Sequence, residues 1–483
     1  MPGLPEVLRA AGNVFLRPVE LSDLPDAQRW RRALLVGSGN ERVVGAASQA
    51  LRRLNPRLEI HAPGIAADRP VSTRGYDMVC LLQTGEGGEW EKIRALLGCP
   101  RAAMAYGRGG QWYRVDLPTV RLLSGRWWAR ATLAWMVSAG YLLALAALRL
   151  SDGLWRLAPL PPPIRDPGPA EGRRVTFIVP THNQRQLMDF CLPPLLAEAG
   201  RRHQVLVVDD ASTDGTDAHL RRHYPQVRVL RLARNVGFAR AVRAGIAVCD
   251  TPFFALINTD VQVRPGLLAA ILPHFDREDT FAVCARIELP GGSPMETGRV
   301  APAFSGILEP YHVAPERSGP ILYAGGASSV YHRARYLALG GFETLFQPLY
   351  WEDIELGYRA WRVGWRSLFE PAASVLHQRR AWIGRRFGDA FANETFLKNA
   401  LLFIWKDLRD PELLAQHAAY ICARLWRELT RGEGMTLRAV LRALPSLPAA
   451  LARRWRERRR GDLSDRDILA LADPLAAPRE DAR

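Results

Sequence analysis

The hydrophobic pattern between residue 175 and about residue 405 alternates short apolar runs with longer stretches of helical spacing. The runs VTFIVP, QVLVVDD, VRVLRL, FFALINTD and FAVCARI are typical of strands, whereas LMDFCLPPLLAEA and GFARAVRAGIAV have helical spacing. This alternation predicts an α/β domain over 175–405, with a mixed, mostly parallel sheet and flanking helices. Ligands in such sheets bind at the carboxyl ends of the strands, where polar clusters stand in this sequence.

Residues 1–125 predict a separate, small α/β unit. RALLVGSG indicates a strand and a glycine turn, ERVVGAASQALRRL has helical spacing, and RLEIHA and YDMVCLLQ indicate further strands. The turn Gly37-Ser38-Gly39 either holds a phosphate at the helix N-terminus or is only a tight connection. The unit itself is either a second catalytic domain, such as a degenerate transferase or methyltransferase, or a module for acceptor docking or assembly.

Residues 126–157 predict an apolar helix. The stretch 131–148 contains no charge and has Arg on both sides, at 126, 130, 149 and 156. Its 18 residues reach about 27 Å, marginal for a hydrocarbon core of about 30 Å. Three alternatives stay open: an interfacial or re-entrant helix, a true span, and a buried helix that joins domains.

Two further boundaries follow from composition. Residues 158–174 are rich in Pro and Gly and cannot continue a helix, so they predict a linker. Residues 406–483 predict a basic amphipathic helical tail, with 11 Arg against 3 Glu between 421 and 460. The tail presents either a solvated basic face or a helix that lies on anionic lipid.

The bulk composition bounds the function. At 483 residues the chain is long enough for at least two compact domains, and its formal charge of +16 implies an anionic partner. No nucleic-acid-binding module accompanies this charge, so a membrane surface or a phosphorylated substrate is favoured over nucleic acid. The six Cys residues include no CxxC pair, which indicates neither a zinc site nor a disulfide framework, and fits a reducing cytoplasm. The first twenty residues lack the pattern of a signal peptide.

Several carboxylates are expected to converge at one edge of the sheet. Asp209, Asp210 and Asp260 follow apolar strands, and Glu352 and Asp353 follow an aromatic stretch. Such convergence is costly unless cations offset it. A divalent ion that bridges carboxylates to a diphosphate explains the set, because oxygen ligands suit Mg²⁺ or Mn²⁺.

Glu352 and Asp353 precede a predicted helix with a buried aromatic stripe, formed by Ile354, Tyr358, Trp361 and Trp365. Carboxylates at a helix N-terminus face the positive end of its dipole and stay ionised. Glu355 and Arg359 lie four residues apart and are expected to form an ordinary surface pair.

Seven motifs occur in an order that resembles the family 2 glycosyltransferases with the GT-A fold, over about residues 175–385. They are VTFIVPTHNQ, VLVVDDASTDGT, RNVGFARAVRAG, ALINTDVQVRPG, GGASSVYHRARYLALGGFE, WEDIELGYRAWRVGW and VLHQRR. Within that family the chain is most similar to rhamnosyltransferase- and galactofuranosyltransferase-like enzymes of bacterial cell-surface glycans.

The resemblance implies roles for individual positions. Nucleotide-sugar binding would fall to Pro180, Thr181, Asn183, Asp209, Asp210, Arg234, Asn235, Gly237, Asn258 and Thr259. Asp209 resembles the aspartate that contacts the base, although helix capping is the alternative for such a residue and describes Asp214 better.

Asp260 and His377 resemble the family's metal ligands, with Asn258 in place of the first Asp of a DxD motif. One charge fewer predicts weaker metal binding. A single His after a strand also serves structural roles. Arg243 stands where the family often has Asn. Arg379 and Arg380 are candidates for contact with the diphosphate.

Asp353 resembles the general base, with Glu352 orienting the base or the acceptor hydroxyl; Gly325, Gly326 and Trp351 lie on the acceptor side. The resemblance implies inverting transfer of a hexosyl or deoxyhexosyl group from a UDP- or dTDP-sugar to a glycan or lipid-linked acceptor. The place would be the cytoplasmic face of the inner membrane, bound peripherally or monotopically.

Two other classes compete with this interpretation. A catalytically silent GT-A protein in a glycan assembly complex is supported by the departures at Asn258 and Arg243. A sugar nucleotidyltransferase would need a glycine-rich phosphate loop with a basic residue at the start of the domain, which IVPTHNQ does not supply.

Overall fold

The protein is described here from a computed structural model. The structure describes residues 16–18, 32–36, 41–62, 78–82, 102–106, 112–115, 117–154, 162–290, 294–296, 299–300, 306–308, 311–312, 317–378, 388–431, 433–457, 461 and 463–472. The chain divides into two compact units, Met1–Met136 with Trp426–Glu433, and Val137–Leu425 with Gly434–Arg483.

The first unit contains a six-stranded sheet. Its strands are β1 Leu16–Pro18, β2 Arg32–Val36, β3 Glu59–His61, β4 Met78–Leu82, β5 Ala102–Tyr106 and β6 Trp112–Val115, and helix α1 is Glu41–Leu54. The sheet order is β1-β6-β5-β4-β2-β3; β3, β2, β4 and β5 are parallel, and β6 is antiparallel to both of its neighbours, β5 and β1. The predicted small α/β unit is therefore confirmed. The Gly37-Ser38-Gly39 turn lies outside the described residues.

Helix α2, Leu117–Leu154, contains the predicted apolar stretch. Residues Ala129–Leu150 have a mean hydropathy of 1.8, and this is the one helix in the described part of the chain that is long and apolar enough to cross a membrane. Within the second unit, one stripe of α2 is buried. On this stripe, Tyr141 bonds to His417 (Oη to Nε2, 2.7 Å) and accepts a hydrogen bond from Trp405 Nε1.

The second unit is built on a ten-stranded mixed sheet. The strands of this unit are β7 Val175–Thr181, β8 Gln204–Asp209, β9 Arg228–Arg231, β10 Phe253–Ile257, β11 Val261–Val263, β12 Thr280–Glu288, β13 Pro294–Glu296, β14 Arg299–Val300, β15 Tyr311–His312, β16 Gly319–Ile321, β17 Ser328–His332 and β18 Arg366–His377. The main order is β11-β18-β12-β17-β10-β7-β8-β9, with β13 beside β12 and β16 beside β18; β14 and β15 form a separate pair.

Four consecutive strands, β10, β7, β8 and β9, are parallel, and β12 is parallel to β18. The antiparallel strand β17 joins the two groups. Every residue of β7 is buried, with Phe177 and Val179 in one apolar cluster and Ile178 in the other. Burial on both faces explains why VTFIVP is continuously apolar.

Helices flank this sheet and continue to the end of the described chain. They are α3 Arg185–Ala199, α4 Thr216–His223, α5 Phe238–Ala247, α6 Leu267–Ile271, α7 Arg333–Ala338, α8 Glu352–Arg362, α9 Asp389–Asp407, α10 Pro411–Arg431, α11 Met435–Ala443, α12 Leu447–Arg456 and α13 Asp465–Leu471; short 3-10 turns are Leu272–Asp276, Thr344–Phe346 and Leu444–Ser446. The predicted fold class, an α/β domain with a helical tail, is confirmed.

Two details differ from the sequence expectation. Helix α8 ends at Arg362, so Trp365 lies beyond it, although its side chain is buried with the rest of the aromatic stripe. Gly364, at φ +85°, turns the chain there. The tail from residue 434 belongs to the same compact unit as the sheet.

Candidate functional site

The carboxyl ends of the parallel strands bring the predicted polar clusters to one edge of the sheet. Thr181, the last residue of β7, pairs with Asp209, the last residue of β8. Strand β10 runs parallel to β7 and ends at Ile257, just before Asn258. The expected convergence of these clusters follows directly from the strand register.

Asp260 and His377 are neighbours at this edge. Strands β11 and β18 pair Val261 with His377, and His377 Nε2 lies 3.2 Å from Asp260 Oδ2. Both side chains keep part of their surface exposed, 17% for Asp260 and 18% for His377. A carboxylate oxygen and an imidazole nitrogen that remain accessible fit a Mn²⁺-like ion, which accepts both ligand types.

The NTD motif forms the turn that presents Asp260. The Asn258 carbonyl accepts from Val261 N (3.2 Å), and Thr259 Oγ1 donates to Gln184 Oε1 (2.5 Å). Thr259 is buried, so its hydroxyl ties this turn to the start of α3. Asn258 is partly exposed.

Asp209 is fully buried, and both of its carboxylate oxygens have partners. Oδ1 accepts from Ser212 N and Oδ2 from Arg231 Nη1, each at 2.8 Å. Asp214 accepts from the backbone N–H groups of Thr216 and Arg185. Asp214 thus bonds to the first residue of α4 and the first residue of α3, but the N-cap of α4 is Gly215, so the N-cap role suggested for Asp214 is wrong.

Asp210 holds the loop that carries the predicted donor residues. Its Oδ1 accepts from Val236 N (2.7 Å) and its Oδ2 from Gly237 N (2.9 Å). Gly237 has φ +84°, and a Cβ there would lie 3.1 Å from Gln347 Nε2. Arg234 and Asn235 are exposed on the same loop. Asp210 thus shapes this loop through two charge-assisted bonds.

The loop after β7 is tied to the loop after β8. Asn183, at φ +55°, accepts from Thr213 N through Oδ1 (2.7 Å), and its own N–H donates to Ser212 Oγ (2.9 Å). Pro180 is buried in β7. Thr181 Oγ1 is buried and has no hydrogen-bond partner among the described residues.

Glu352 and Asp353 begin helix α8, as the sequence predicted. Asp353 Oδ1 accepts from Ile354 N (2.9 Å), and Oδ2 accepts from Gly326 N (3.3 Å). Gly325 and Gly326 come just before Ser328, which pairs with Ile257. The strand register therefore places the Asp353 contact at the same edge as the NTD turn.

Burial raises the pKa of Glu352 to about 8, and the neighbouring carboxylate of Asp353 adds to this effect. Two adjacent carboxyl groups cannot both ionise without repulsion. The expectation that the carboxylates at this helix N-terminus stay ionised is therefore wrong for Glu352, which can hold a proton at neutral pH.

Trp351 does not offer its ring to an acceptor. The side chain is fully buried, and its indole packs against Phe396 and Phe403 with ring centroids 5.5 and 5.1 Å away. Its indole Nε1 has no hydrogen-bond partner among the described residues. Its backbone precedes Glu352, so it can influence the acceptor side only by positioning that residue.

The expectation that Glu355 and Arg359 form a surface pair is wrong. Glu355 is fully buried, Arg359 nearly so, and Glu355 Oε1 accepts from Lys406 Nζ (2.6 Å) in addition to its bonds with Arg359. Lys406 also donates to Asp407 Oδ1 (2.9 Å) and Glu457 Oε2 (2.6 Å). The three carboxylates thus surround an ammonium group, which takes the place that a metal ion would need.

The sequence contained a sign of this cluster. Of 65 Lys and Arg residues only three are Lys, at 92, 398 and 406, and two of these lie on α9. A compact ammonium with three rotatable donors can face three carboxylates at once. Arg243, which departs from the family pattern, donates to the carbonyl of Phe342 (3.2 Å). Arg379 and Arg380 lie outside the described residues.

Comparison with known proteins finds a family match within the second unit. Residues 176–334 match the family described as Glycosyl transferase family 2. The chain is 28% identical over 241 residues to an N-acetylglucosaminyl-diphospho-decaprenol L-rhamnosyltransferase of Mycobacterium tuberculosis, covering 44% of this chain and 76% of the relative. It is 29% identical over 239 residues to a pre-mycofactocin glycosyltransferase of the same organism, covering 46% of this chain and 47% of that relative.

Two solved structures are similar to the chain at lower sequence identity. S. aureus TarS 1-349 in complex with UDP-GlcNAc is 16% identical, with a TM-score of 0.39 over 57% of this chain and 79% of that chain. The mannosyltransferase PcManGT from Pyrobaculum calidifontis, in complex with GDP-Man and Mn²⁺, is 18% identical, with a TM-score of 0.36 over 68% of this chain and 97% of that chain.

Proposed function

The chain carries a family 2 glycosyltransferase domain, and from this premise we propose that it is an inverting enzyme that uses a nucleoside-diphosphate sugar. The donor would be a UDP- or dTDP-sugar with a hexosyl or deoxyhexosyl group. The acceptor would be a hydroxyl of a surface polysaccharide or of a lipid-linked glycan. The single observation that carries the proposal is the Asp260–His377 pair at the sheet edge where Asp353 also lies.

Asp353 is the proposed general base. Its carboxylate takes the proton of the acceptor hydroxyl as that oxygen attacks the anomeric carbon from the face opposite the leaving diphosphate, which inverts the configuration. The bonds from Gly326 N and Ile354 N fix the carboxylate, and Glu352 in its protonated form can donate to the acceptor oxygen. Positioning and electrostatics supply most of the rate in this scheme.

Asp260 and His377 would hold a Mn²⁺ or Mg²⁺ ion, with the amide of Asn258 as a neutral ligand or a water anchor. Such an ion stabilises negative charge on a departing diphosphate. The neutral Asn258 in place of an Asp predicts weaker binding of the ion. Asp210 keeps the loop with Arg234 and Asn235 in place for the donor.

A panel of nucleotide sugars tests this function. Wild type is incubated with UDP-glucose, UDP-galactose, UDP-N-acetylglucosamine, dTDP-rhamnose and GDP-mannose, with and without Mn²⁺, and release of the nucleoside diphosphate is measured. We expect release from at least one UDP- or dTDP-sugar, and a loss of about 10²- to 10⁴-fold for Asp353→Asn. A well-folded wild type that neither binds nor cleaves any of them favours the silent scaffold.

We further propose that the protein is bound at the cytoplasmic face of the inner membrane, peripherally or monotopically. The rhamnosyltransferase of Mycobacterium tuberculosis to which the chain is similar is named for a diphospho-decaprenol substrate, which supports a lipid-linked acceptor. In the second unit, helix α2 buries Tyr141, Leu145 and Leu148, while Leu143 and Leu150 are exposed by 72% and 68%. Large apolar side chains exposed along one helix are typical of a membrane-contact surface.

Basic groups accompany the end of this helix. Arg454 of α12 donates to Asp152 of α2 through Nε (2.8 Å), which holds the run Arg453–Arg456 beside it. Arg456 is exposed, and the side chain of Arg149 is 39% exposed. Anionic headgroups would pair with these cations while α2 contacts the acyl region.

Flotation with vesicles tests the membrane proposal. Wild type should float with vesicles of phosphatidylcholine and phosphatidylglycerol more than with phosphatidylcholine alone, and Leu143→Glu and Leu150→Glu should reduce flotation. Leu337→Glu is the matched control, because Leu337 is 45% exposed on α7. Equal flotation of all variants would contradict a role for α2.

A further inference from the structure

The two residues before helix α8 have an unusual backbone conformation. Tyr350 has φ +69° and Trp351 has φ +80°, both in the left-handed region. Large side chains rarely adopt this conformation, because Cβ crowds the backbone. Two such residues in succession persist only where the surrounding structure holds them, and such turns are concentrated at functional sites. Here the turn ends directly at Glu352.

The side-chain amide of Asn399, on α9, donates hydrogen bonds to this turn and to the residues before it. Nδ2 lies 2.5 Å from the carbonyl oxygen of Phe346, 2.8 Å from that of Leu349 and 3.0 Å from that of Tyr350. An amide nitrogen has two N–H groups, so one of them is shared between two carbonyls. The Asn399 side chain is fully buried, which makes these bonds the reason why a polar residue is tolerated there.

The preceding residue of α9 adds a fourth contact. Lys398 Nζ donates to the carbonyl of Gln347 (2.9 Å). The pair Lys398-Asn399 interrupts the otherwise apolar stretch FLKNALLFIW, and both members bond to the segment 346–350. Asn399 Oδ1 has no hydrogen-bond partner among the described residues, so the amide group is used here for its donors.

The segment 346–350 also contacts the loop that carries the predicted donor residues. Gln347 Nε2 donates to the carbonyl of Val236 (2.9 Å), in the loop whose amides bond to Asp210. A continuous series of hydrogen bonds therefore runs from Asn399 and Lys398, through the segment 346–350, to the loop that would hold the nucleotide sugar.

We propose that Asn399, supported by Lys398, is a positioning residue of the transfer reaction: it holds the Tyr350–Trp351 turn so that Asp353 stands at a fixed distance from the donor loop. The proposal rests on the proposed role of Asp353 as general base. It predicts that loss of the Asn399 amide misplaces the base while the metal and nucleotide ligands stay intact.

The test combines kinetics with hydrogen exchange on Asn399→Ala and on the isosteric Asn399→Asp, which loses both donors. For the nucleotide sugar that wild type cleaves, we expect kcat to fall 10- to 100-fold, by the sensitivity of such reactions to misplacement of about 1 Å. The Kd for UDP with Mn²⁺ should change less than about threefold, and the pH–rate profile should shift. Exchange of the amides of residues 352–356 should accelerate.

Asn393→Ala is the matched control, because Asn393 is exposed on the same helix. The double variant Tyr350→Gly with Asn399→Ala separates positioning from stability, since glycine adopts a left-handed turn without strain. We expect it to recover Tm and not kcat. Recovery of both would show that Asn399 only stabilises the fold, and would overturn the proposal.

The two proposals fail in different ways. A wild type that cleaves no nucleotide sugar contradicts the proposed function. Unchanged exchange at residues 352–356 in a folded Asn399→Ala, or unchanged kcat in both single variants, contradicts the positioning role alone.

Discussion

His377 Nε2 lies 3.2 Å from Asp260 Oδ2 because the antiparallel register of β11 and β18 pairs His377 with the residue after Asp260. Both positions are fixed by backbone hydrogen bonds, since Gln378 N also donates to the Asp260 carbonyl (2.9 Å). The two side chains are thus held in place by the sheet itself, which suits a pair of metal ligands.

Replacing His377 with Ala should weaken Mn²⁺-dependent binding of UDP. Loss of even an outer partner of a metal site costs about 10- to 100-fold in metal affinity, so we expect at least that loss for His377→Ala and for Asp260→Ala. Isothermal titration of UDP with and without Mn²⁺ measures it. His274→Ala is the control, because His274 also contacts a carboxylate, that of Glu370 (2.5 Å), in the same unit. An equal loss in the control would contradict a specific metal role.

Glu352→Gln should change how stability depends on pH. The pKa of Glu352 is raised from 4.5 to about 8, so the folded protein binds this proton more tightly than the unfolded chain does. The contribution is therefore fully present below pH 4.5 and is lost as the pH rises to 8, by at most about 1.4 kcal/mol per unit. We expect the stability of the variant relative to wild type to increase from pH 5 to pH 8. Urea unfolding at each pH measures it, and a constant difference would contradict the raised pKa.

Lys406→Met should destabilise the domain strongly. It would leave the buried carboxylates of Glu355 and Asp407, and the partly exposed one of Glu457, without their shared cation, and breaking a buried ion pair costs about 3–5 kcal/mol. Arg221→Met is the control, because Arg221 pairs with Asp217 on the surface and such pairs are worth about 0–1 kcal/mol. Chemical unfolding of the two variants should differ accordingly. Similar stabilities would mean that the cluster is solvated in solution.

Gly357→Ala should also destabilise the protein, by about 1–3 kcal/mol through overpacking. A Cβ at Gly357 would lie 2.5 Å from the carbonyl oxygen of Leu322, so helix α8 would have to move away from the backbone of Leu322 and Tyr323. Gly140→Ala on α2 meets nothing within 4 Å and should stabilise by about 0.5–1 kcal/mol, because Gly is unfavourable inside helices. Thermal unfolding compares the two, and equal effects would contradict the close packing of α8.

Part of the candidate site was predictable from the order of the motifs. Asp260, His377, Glu352 and Asp353 stand where the motif order placed them, and the strand ends predicted their common edge. Asn399 and Lys406 were not predicted as site residues, because their partners lie about 50 residues away in the chain. Glu355 and Arg359 were assigned to the surface because i, i+4 spacing is the same for an exposed pair and a buried one.

The sequence by itself determined the elements of this protein. Apolar runs of strand length, helical periodicity and turn residues depend on neighbours within a few positions, so the alternation of strands and helices from Val175 onward, and the helix that begins at Glu352, could be predicted from the chain.

Only the tertiary structure decided which polar groups are buried, and with which partners. The burial of Lys406 among three carboxylates and the contact of Asn399 with the Tyr350–Trp351 turn depend on how α9 packs against α8 and the segment before it. Packing between distant segments selects one set of partners from many that local spacing allows, and no local pattern carries that choice.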